Sequence, residues 1–328
     1  MTRTILIIGA TGGAGRAVAE AALARGHDVR ALQRRPEAAE LDRRIEIRRG
    51  DAMNADDVIE AADGVDYVFH GANPPGYRHW DRLVEPMAMN AAMAAKAAGA
   101  RLLVPGNVYN FGPDQFPLIR EDAPQNPVSA KGAVRKAMEQ AVKASGARVT
   151  ILHAGDYFGA QAPASWFSNV MAKPGRAPRH IYWPGDRTSG HAFAYLPDYA
   201  EAFMRLIEQE NRMAPVEDLH FAGHYLDPGI RLAEIATRAA GLESRKIKSF
   251  PWWAVRLAAP FVPLCRELLE MRYLWFTDVR LDNTRLEALI GPEPRTAIAA
   301  AVEETMGRMG CLPHAGTWSG AEPSLFSG

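Results

Sequence analysis

The chain has 328 residues, 48% hydrophobic and 23% charged, enough for one large core or for a large domain beside a smaller one. Lys plus Arg and Asp plus Glu each number 38, so no net charge points to nucleic acid or an anionic surface, and neither a nucleic-acid nor a membrane partner is expected. Two distant cysteines, Cys265 and Cys311, suggest neither a zinc site nor a disulfide, which fits a reduced cytoplasmic location.

In chain order, apolar runs alternate with alanine-rich helical stretches. The pattern predicts strands at Thr4–Ile8, Val29–Leu32, Ile45–Ile47, Asp66–Phe69, Arg101–Val104 and Arg148–Leu152. Between them it predicts helices at Ala14–Arg25, Asn54–Ala62 and Trp80–Ala98, and one opening in SAKGAVRKAME (129–139) and stopping at Gly146. Near-continuous apolar strands alternating with helices call for an α/β fold, a Rossmann-type doubly wound parallel sheet with helices on both faces. After about residue 155 the pattern loosens into Gly-, Pro- and aromatic-rich loops. A helix at Pro197–Gln209, a strand closing at His220–His224, a helix capped by Asp227-Pro228 and a mostly helical 250–310 follow. The division expected is a Rossmann domain over 1–155 with a segment returning at about 190–222. A smaller substrate region would take 156–189 and 223–310, and 311–328 would form a flexible tail. The opening TILIIG is too short for a secretory h-region. PWWAVRLAAPFVPL (251–264) falls short of the ~20 residues of a membrane span, and reads as a core or pocket-lining helix, or else an interfacial one.

The first strand-to-helix turn reads IGATGGAGRAV, with Gly9, Gly12 and Gly15 spaced G-x-x-G-x-x-G. In that context the first glycine makes the turn, the second admits a pyrophosphate to the backbone, and the third lets helix and strand close up. Gly9, Thr11, Gly12, Gly13, Ala14 and Gly15 are therefore the expected dinucleotide cradle, at a helix N-terminus that favours phosphate. The second strand ends in Gln33-Arg34-Arg35 with no carboxylate for a ribose 2′-hydroxyl. Arg34 and Arg35 instead suit a 2′-phosphate, so NADP(H) is expected in preference to NAD(H). Asp51 and Ala52 after the third strand are placed for the adenine, and Gly71, Ala72 and Asn73 after the fourth would pass beside the cofactor.

These segments resemble the extended and atypical short-chain dehydrogenase/reductases, the NAD(P)-dependent epimerase/dehydratase group. The similarity runs through GATGGAG (9–15), RRGDAMN (48–54), DYVFHGAN (66–73), LLVPGNVYNFGP (102–113), HAGDYFG (153–159), AYLPDYAEAF (194–203) and DNTRLEALIG (282–291). The resemblance implies a Ser or Thr after the fifth strand and a Tyr-x-x-x-Lys pair on the next helix, with the tyrosine exchanging a proton with substrate. Here Pro105-Gly106 falls at the serine position, Lys131 at the tyrosine and Arg135 at the lysine, and no tyrosine occurs between 110 and 156.

Lys131, Arg135 and Glu139 share one helix face. Arg135 offers fixed donors for ribose hydroxyls but cannot exchange protons. Lys131 is read as the surviving acid/base group or an oxyanion stabiliser, or else as a solvated lysine. Asn107 and Tyr109, just past the fifth strand, are further catalytic candidates. His153, Asp156, Tyr157, Trp166 and His191 are the expected substrate pocket, with Phe167 and Trp183 nearby, although packing explains each of these singly. His220 and His224 lie in a strand pattern without a nearby H-E-x-x-H glutamate, and no metal is expected. Two functions remain open. One is an NADP-dependent oxidoreductase, epimerase or dehydratase acting on a carbonyl or hydroxyl of a small molecule. The other is a catalytically silent NADP(H) sensor or assembly subunit. The resemblance also implies a homodimer through the helices at 80–98 and 131–145.

Overall fold

The structure, a computed structural model, describes residues 1–74, 76, 78–162 and 165–312. Seven strands form one parallel sheet: β1 (Thr4–Ile8), β2 (Asp28–Gln33), β3 (Glu46–Arg49), β4 (Tyr67–His70), β5 (Arg101–Pro105), β7 (Arg148–Ala154) and β11 (Val216–Phe221). Their order is β11-β7-β5-β4-β1-β2-β3, so the connections reverse direction between β1 and β4. Ligands of open α/β sheets dock at such a switch point, beyond the carboxyl ends of the strands.

The alternation along β1 explains the two-sided covering. Ile5 and Ile7 face one way, onto Val18 and Ala22 of α1 (Gly13–Ala24) and Tyr199 and Phe203 of α5 (Leu196–Glu208). Leu6 and Ile8 face the other way, into a core shared with α2 (Ala55–Ala61), α3 (Trp80–Ala97) and α4 (Ala130–Ala144). Alanines at 88, 91, 92, 94 and 95, all buried, let α3 approach the sheet closely. Ser129 caps α4 by accepting from the Gly132 amide at 3.0 Å, and Asn54 caps α2 by accepting from Asp56 at 3.1 Å.

The remaining strands are short: β6 (Leu118–Ile119), β8 (Asp156–Phe158), β9 (Ile181–Trp183), β10 (His191–Tyr195), β12 (His224–Leu226), β13 (Ile247–Ser249) and β14 (Arg280–Leu281). They pair as β12-β10-β8, β13-β9 and β14-β6. β8, β9, β10 and β13 with α6 (Arg231–Ala239), α10 (Ile298–Arg308) and Trp252 of α7 (Trp252–Ala258) build a second core around Phe158, Phe167, Trp183, Phe193, Trp275 and Met306. α8 (Pro263–Glu270) follows α7, and α9 (Thr284–Ile290) packs Leu286 and Leu289 into the core of the large sheet.

Several expectations need correction. The strand read as ending at His220–His224 is two strands in different sheets, because Gly223 turns the chain at φ +60 and a Cβ there would lie 2.3 Å from the Phe193 carbonyl. The helix expected from Asp227-Pro228 starts only at Arg231 and has no side-chain cap. The Gly229 amide donates to Ser189 O at 2.9 Å, tying the preceding turn to another loop. The stretches read as long loops contain β8, β9 and β10. Cys311, placed at the start of the tail, is fully buried in the second core, while 313–328 lie outside the described residues.

Candidate cofactor and substrate site

At the switch point the glycine loop has the geometry its spacing asks for. Gly9 sits at φ +95, and a Cβ on it would meet Ala72 N at 2.7 Å, so the β1 turn and the 71–73 segment touch backbone to backbone. A Cβ on Gly15 would lie 2.2 Å from Gly9 O, which is why only glycine lets α1 close on the turn. Among the described residues, the sole atom that a Cβ on Gly12 would meet within 4 Å is Gly9 O at 3.2 Å, so its outer side is open to them. Helix α1 starts there with no side-chain cap and no acidic residue in its first turn. A bare helix N-terminus over an open glycine fits a pyrophosphate.

Arg34 and Arg35 follow β2 and are exposed, on the same side of the sheet end as the loop. Asp51 and Ala52 have structural duties as well. The Asp51 carboxylate accepts from Met53 N at 3.0 Å, and Ala52 O accepts from Asn90 Nδ2 at 2.9 Å.

Arg135 lies beneath the sheet ends. It is buried, its guanidinium sits 5.6 Å over the Trp80 ring, and its Nε has no hydrogen-bond partner. Burial, followed by the Arg135 charge, pushes His70 at the end of β4 down to about 4. An orphaned guanidinium N–H beside β4 and β5 fits ribose hydroxyls of a bound dinucleotide.

Lys131 is not a solvated lysine. Its side chain is 4% exposed, and its ammonium forms ion pairs with Glu267 and Glu270 of α8 and donates to Glu267 O at 3.1 Å. Glu270 also accepts from the backbone amides of Ala130 and Lys131, so it caps α4 from another element. Lys131, which the resemblance puts at a tyrosine position, is thus held by a latch from α8.

At Gly106, which the resemblance puts at a serine position, the packing leaves no room for a side chain. A Cβ on Gly106 would lie 2.6 Å from His153 Nδ1. His153 is fully buried and fully engaged. Nδ1 lies 2.9 Å from Asn107 O, and Nε2 lies 3.0 Å from Asp218 Oδ1 and 3.4 Å from Glu139. Burial alone would lower its pKa, but Glu139 and Asp218 overcome this and raise it to about 9. Lys143 completes the cluster by pairing with Asp218, leaving two carboxylates, an imidazolium and an ammonium in balance. Glu139, His153 and Asp218 place metal-ligand-type atoms within 4.8 Å of one another, a grouping the sequence reading missed. Its signal was an acid two residues before His220 on the strand beside His153. His153 therefore does not line the open pocket expected for it. A cleft of about 300 Å³ opens near Asp218 and Lys143, and none of the expected catalytic residues lines it.

Asn107 Oδ1 accepts from Tyr109 N at 3.0 Å, and Tyr109 packs beside Phe111 and Met271. The structure gathers Asp156, Tyr157 and Trp166 with Phe193 and Trp275 around a closed apolar gap with no room for a ligand, so the substrate pocket expected from these residues is not open. His191 joins them. Its Nε2 is 2.6 Å from Asp156 Oδ2, and its ring stacks on Trp275 at 4.2 Å. Tyr157 donates to Gly106 O at 2.7 Å, and burial pushes its hydroxyl up to about 12. Its proton is committed to that carbonyl.

Comparison with known proteins agrees with this geometry. Residues 9–161 match the family model described as NAD(P)H-binding. No curated protein is significantly similar in sequence. Among solved structures, MoeE5 in complex with UDP-glucose and NAD shares 19% identity over 93% of this chain and 98% of that one, with a TM-score of 0.70. The enzyme WbmH of Bordetella bronchiseptica in complex with NAD+ shares 17% over 94% and 98%, at 0.69. UDP-N-acetylglucosamine 4-epimerase from Bacillus cereus shares 17% over 97% and 100%, at 0.68. Residues 9–161 match the NAD(P)H-binding family model, and the chain as a whole shares the fold of these solved structures.

Proposed function

We propose that this protein binds NADP(H) and acts as an oxidoreductase or epimerase/dehydratase on a carbonyl or hydroxyl of a small molecule. The observation that carries the reading is the open, uncapped α1 N-terminus at Gly12 beside a β2 end bearing Arg34 and Arg35 and no carboxylate. When bound, the nicotinamide supplies the hydride chemistry; the chain's own residues bind, orient and manage one proton. The glycine loop receives the pyrophosphate, Arg34 and Arg35 the 2′-phosphate, and Arg135 the nicotinamide ribose. Lys131 is the proton-bearing group left on α4, and Glu267 and Glu270 set where its ammonium points. Asp156, Trp166 and His191, which lie together, are the residues nearest to a substrate in this reading. The solved relatives crystallised with UDP-sugars make sugar nucleotides the first substrate class to try.

The competing reading, an NADP(H)-binding sensor or assembly subunit without turnover, is favoured by the latch on Lys131 and by the lack of space for a serine at Gly106. NADPH absorbance is followed with a panel of carbonyl compounds, and UDP-sugar interconversion by chromatography, for wild type and Lys131→Met. Turnover lost in the variant supports the enzyme. Tight NADPH binding with no turnover on either panel supports the sensor.

A further inference from the structure

Helices α7 and α8 form a short hairpin with two unlike sides. Inward, Val255 and Ala259 are buried, Trp252 donates from its indole to Pro184 O at 2.6 Å, and the Arg272 guanidinium lies 5.6 Å from the Trp252 ring. Outward, Trp253, Leu257 and Phe261 are 71%, 69% and 86% exposed, with Val262 and Leu264 beside them at 43% and 47%. The reading of this stretch as a core helix therefore holds for one side only. No described helix is long and apolar enough to cross a membrane.

Within this stretch the charge is one-signed as far as Arg266, and the acids that follow on α8, Glu267 and Glu270, are taken up by Lys131. From Ser244 to Arg266 the chain holds five Lys or Arg and no Asp or Glu. Arg256 and Arg266 are exposed among the apolar residues. Lys248 on the adjoining β13 and Lys246 just before it are close enough to His180 to depress its pKa after burial has done so. Arg245 is paired with Glu243 just outside the segment. A two-fold contact between copies would bring these like charges together with no carboxylate in the segment to meet them. Exposed Trp, Leu and Phe ringed by cations match the interface of a bilayer with anionic headgroups.

We propose that the α7–α8 hairpin is a peripheral docking surface for anionic phospholipid bilayers, with Trp253, Leu257 and Phe261 entering the headgroup region and Lys246, Lys248, Arg256 and Arg266 contacting lipid phosphates. This departs from the absence of a membrane partner expected from overall charge, because the cations are concentrated in one place. It stands independently of the cofactor reading.

The test is co-sedimentation of the full chain with phosphatidylcholine vesicles and with phosphatidylcholine/phosphatidylglycerol vesicles, at low and high salt. Binding is expected on the anionic vesicles alone and is expected to fall with salt. Each cation near such a surface contributes roughly fivefold, so Lys246→Glu/Lys248→Glu/Arg256→Glu should weaken binding about 100-fold. Trp253→Ser/Leu257→Ser/Phe261→Ser should abolish it while leaving the thermal transition in place, since these side chains are already exposed. No sedimentation with either vesicle overturns the proposal, as does equal sedimentation of wild type and the triple serine variant. So does a wild-type dimer in solution that Phe261→Ser converts to monomer, which would assign the surface to a second copy.

Discussion

At the scale of single residues, the account turns on groups whose partners differ from those a sequence suggests. Arg135 carries an unbonded Nε into a buried position, so Arg135→Met should cost little stability. It should weaken NADPH binding about tenfold or more, the usual worth of hydrogen bonds from a charged donor. Fluorescence titration beside a thermal melt separates the two effects. His153 gives a pH signature. Its folded-state pKa of about 9 lies above the unfolded value near 6.5, so the folded state holds the proton more tightly. The stabilisation is fully present below about pH 6.5 and is lost as pH rises through about 9. Urea midpoints should fall across that window by the equivalent of on the order of 2 kcal/mol, and the fall should be absent in His153→Gln. A wild-type midpoint that is flat from pH 6 to 9 would refute the ion cluster. Asp218, held below the usual carboxylate range with His153 bonded to it, reports the same interaction from the acid side and is not a second contribution.

Among elements, the parallel sheet and its helices were legible because near-continuous apolar runs, helical patterns and Gly stops agree locally. β1 and the start of α3 fall where the pattern puts them. The cofactor half of the candidate site was legible for the same reason, since the glycine loop is a local motif. What could not be read was contact across long separations. Nothing in SAKGAVRKAME shows that Glu270, 139 residues after Lys131, caps that helix and holds its lysine. Nor does LLVPGN reveal that His153 occupies the space a serine side chain at Gly106 would need. The split between β11 and β12 escaped because a lone Gly223 looks alike in a strand and at a break. The α8-to-α4 latch has its own prediction. Glu270→Ala removes two helix-capping contacts and one side of a buried ion pair. It should lower stability by about 2 kcal/mol and speed proteolysis within 251–270 more than elsewhere. Uniform protection of that segment in the variant would show that the latch does not hold α8.

Across the whole molecule, binding and stability occupy opposite ends of the sheet. At the carboxyl ends the chain leaves donors and space. At the amino ends it closes a fully satisfied network: buried Arg101 holds Glu210 at 2.9 and 3.1 Å, Thr150 Oγ1 at 3.1 Å and Ala214 O at 3.1 Å. Arg101→Met should cost about 2 kcal/mol by leaving Thr150 Oγ1 and the Ala214 carbonyl without their donor, although Glu210 keeps Arg148 and Tyr67, with NADPH affinity of the folded protein unchanged, which a melt and a titration read together. The central claim is that the glycine loop and the two arginines after β2 select NADP(H). Its most direct test is fluorescence titration of NADPH and NADH against wild type and Arg34→Ala/Arg35→Ala. The account predicts tighter binding of NADPH by wild type and at least a tenfold loss of that preference in the variant, with NADH affinity unchanged. Equal affinity for the two cofactors in wild type, or an unchanged preference in the variant, would contradict it.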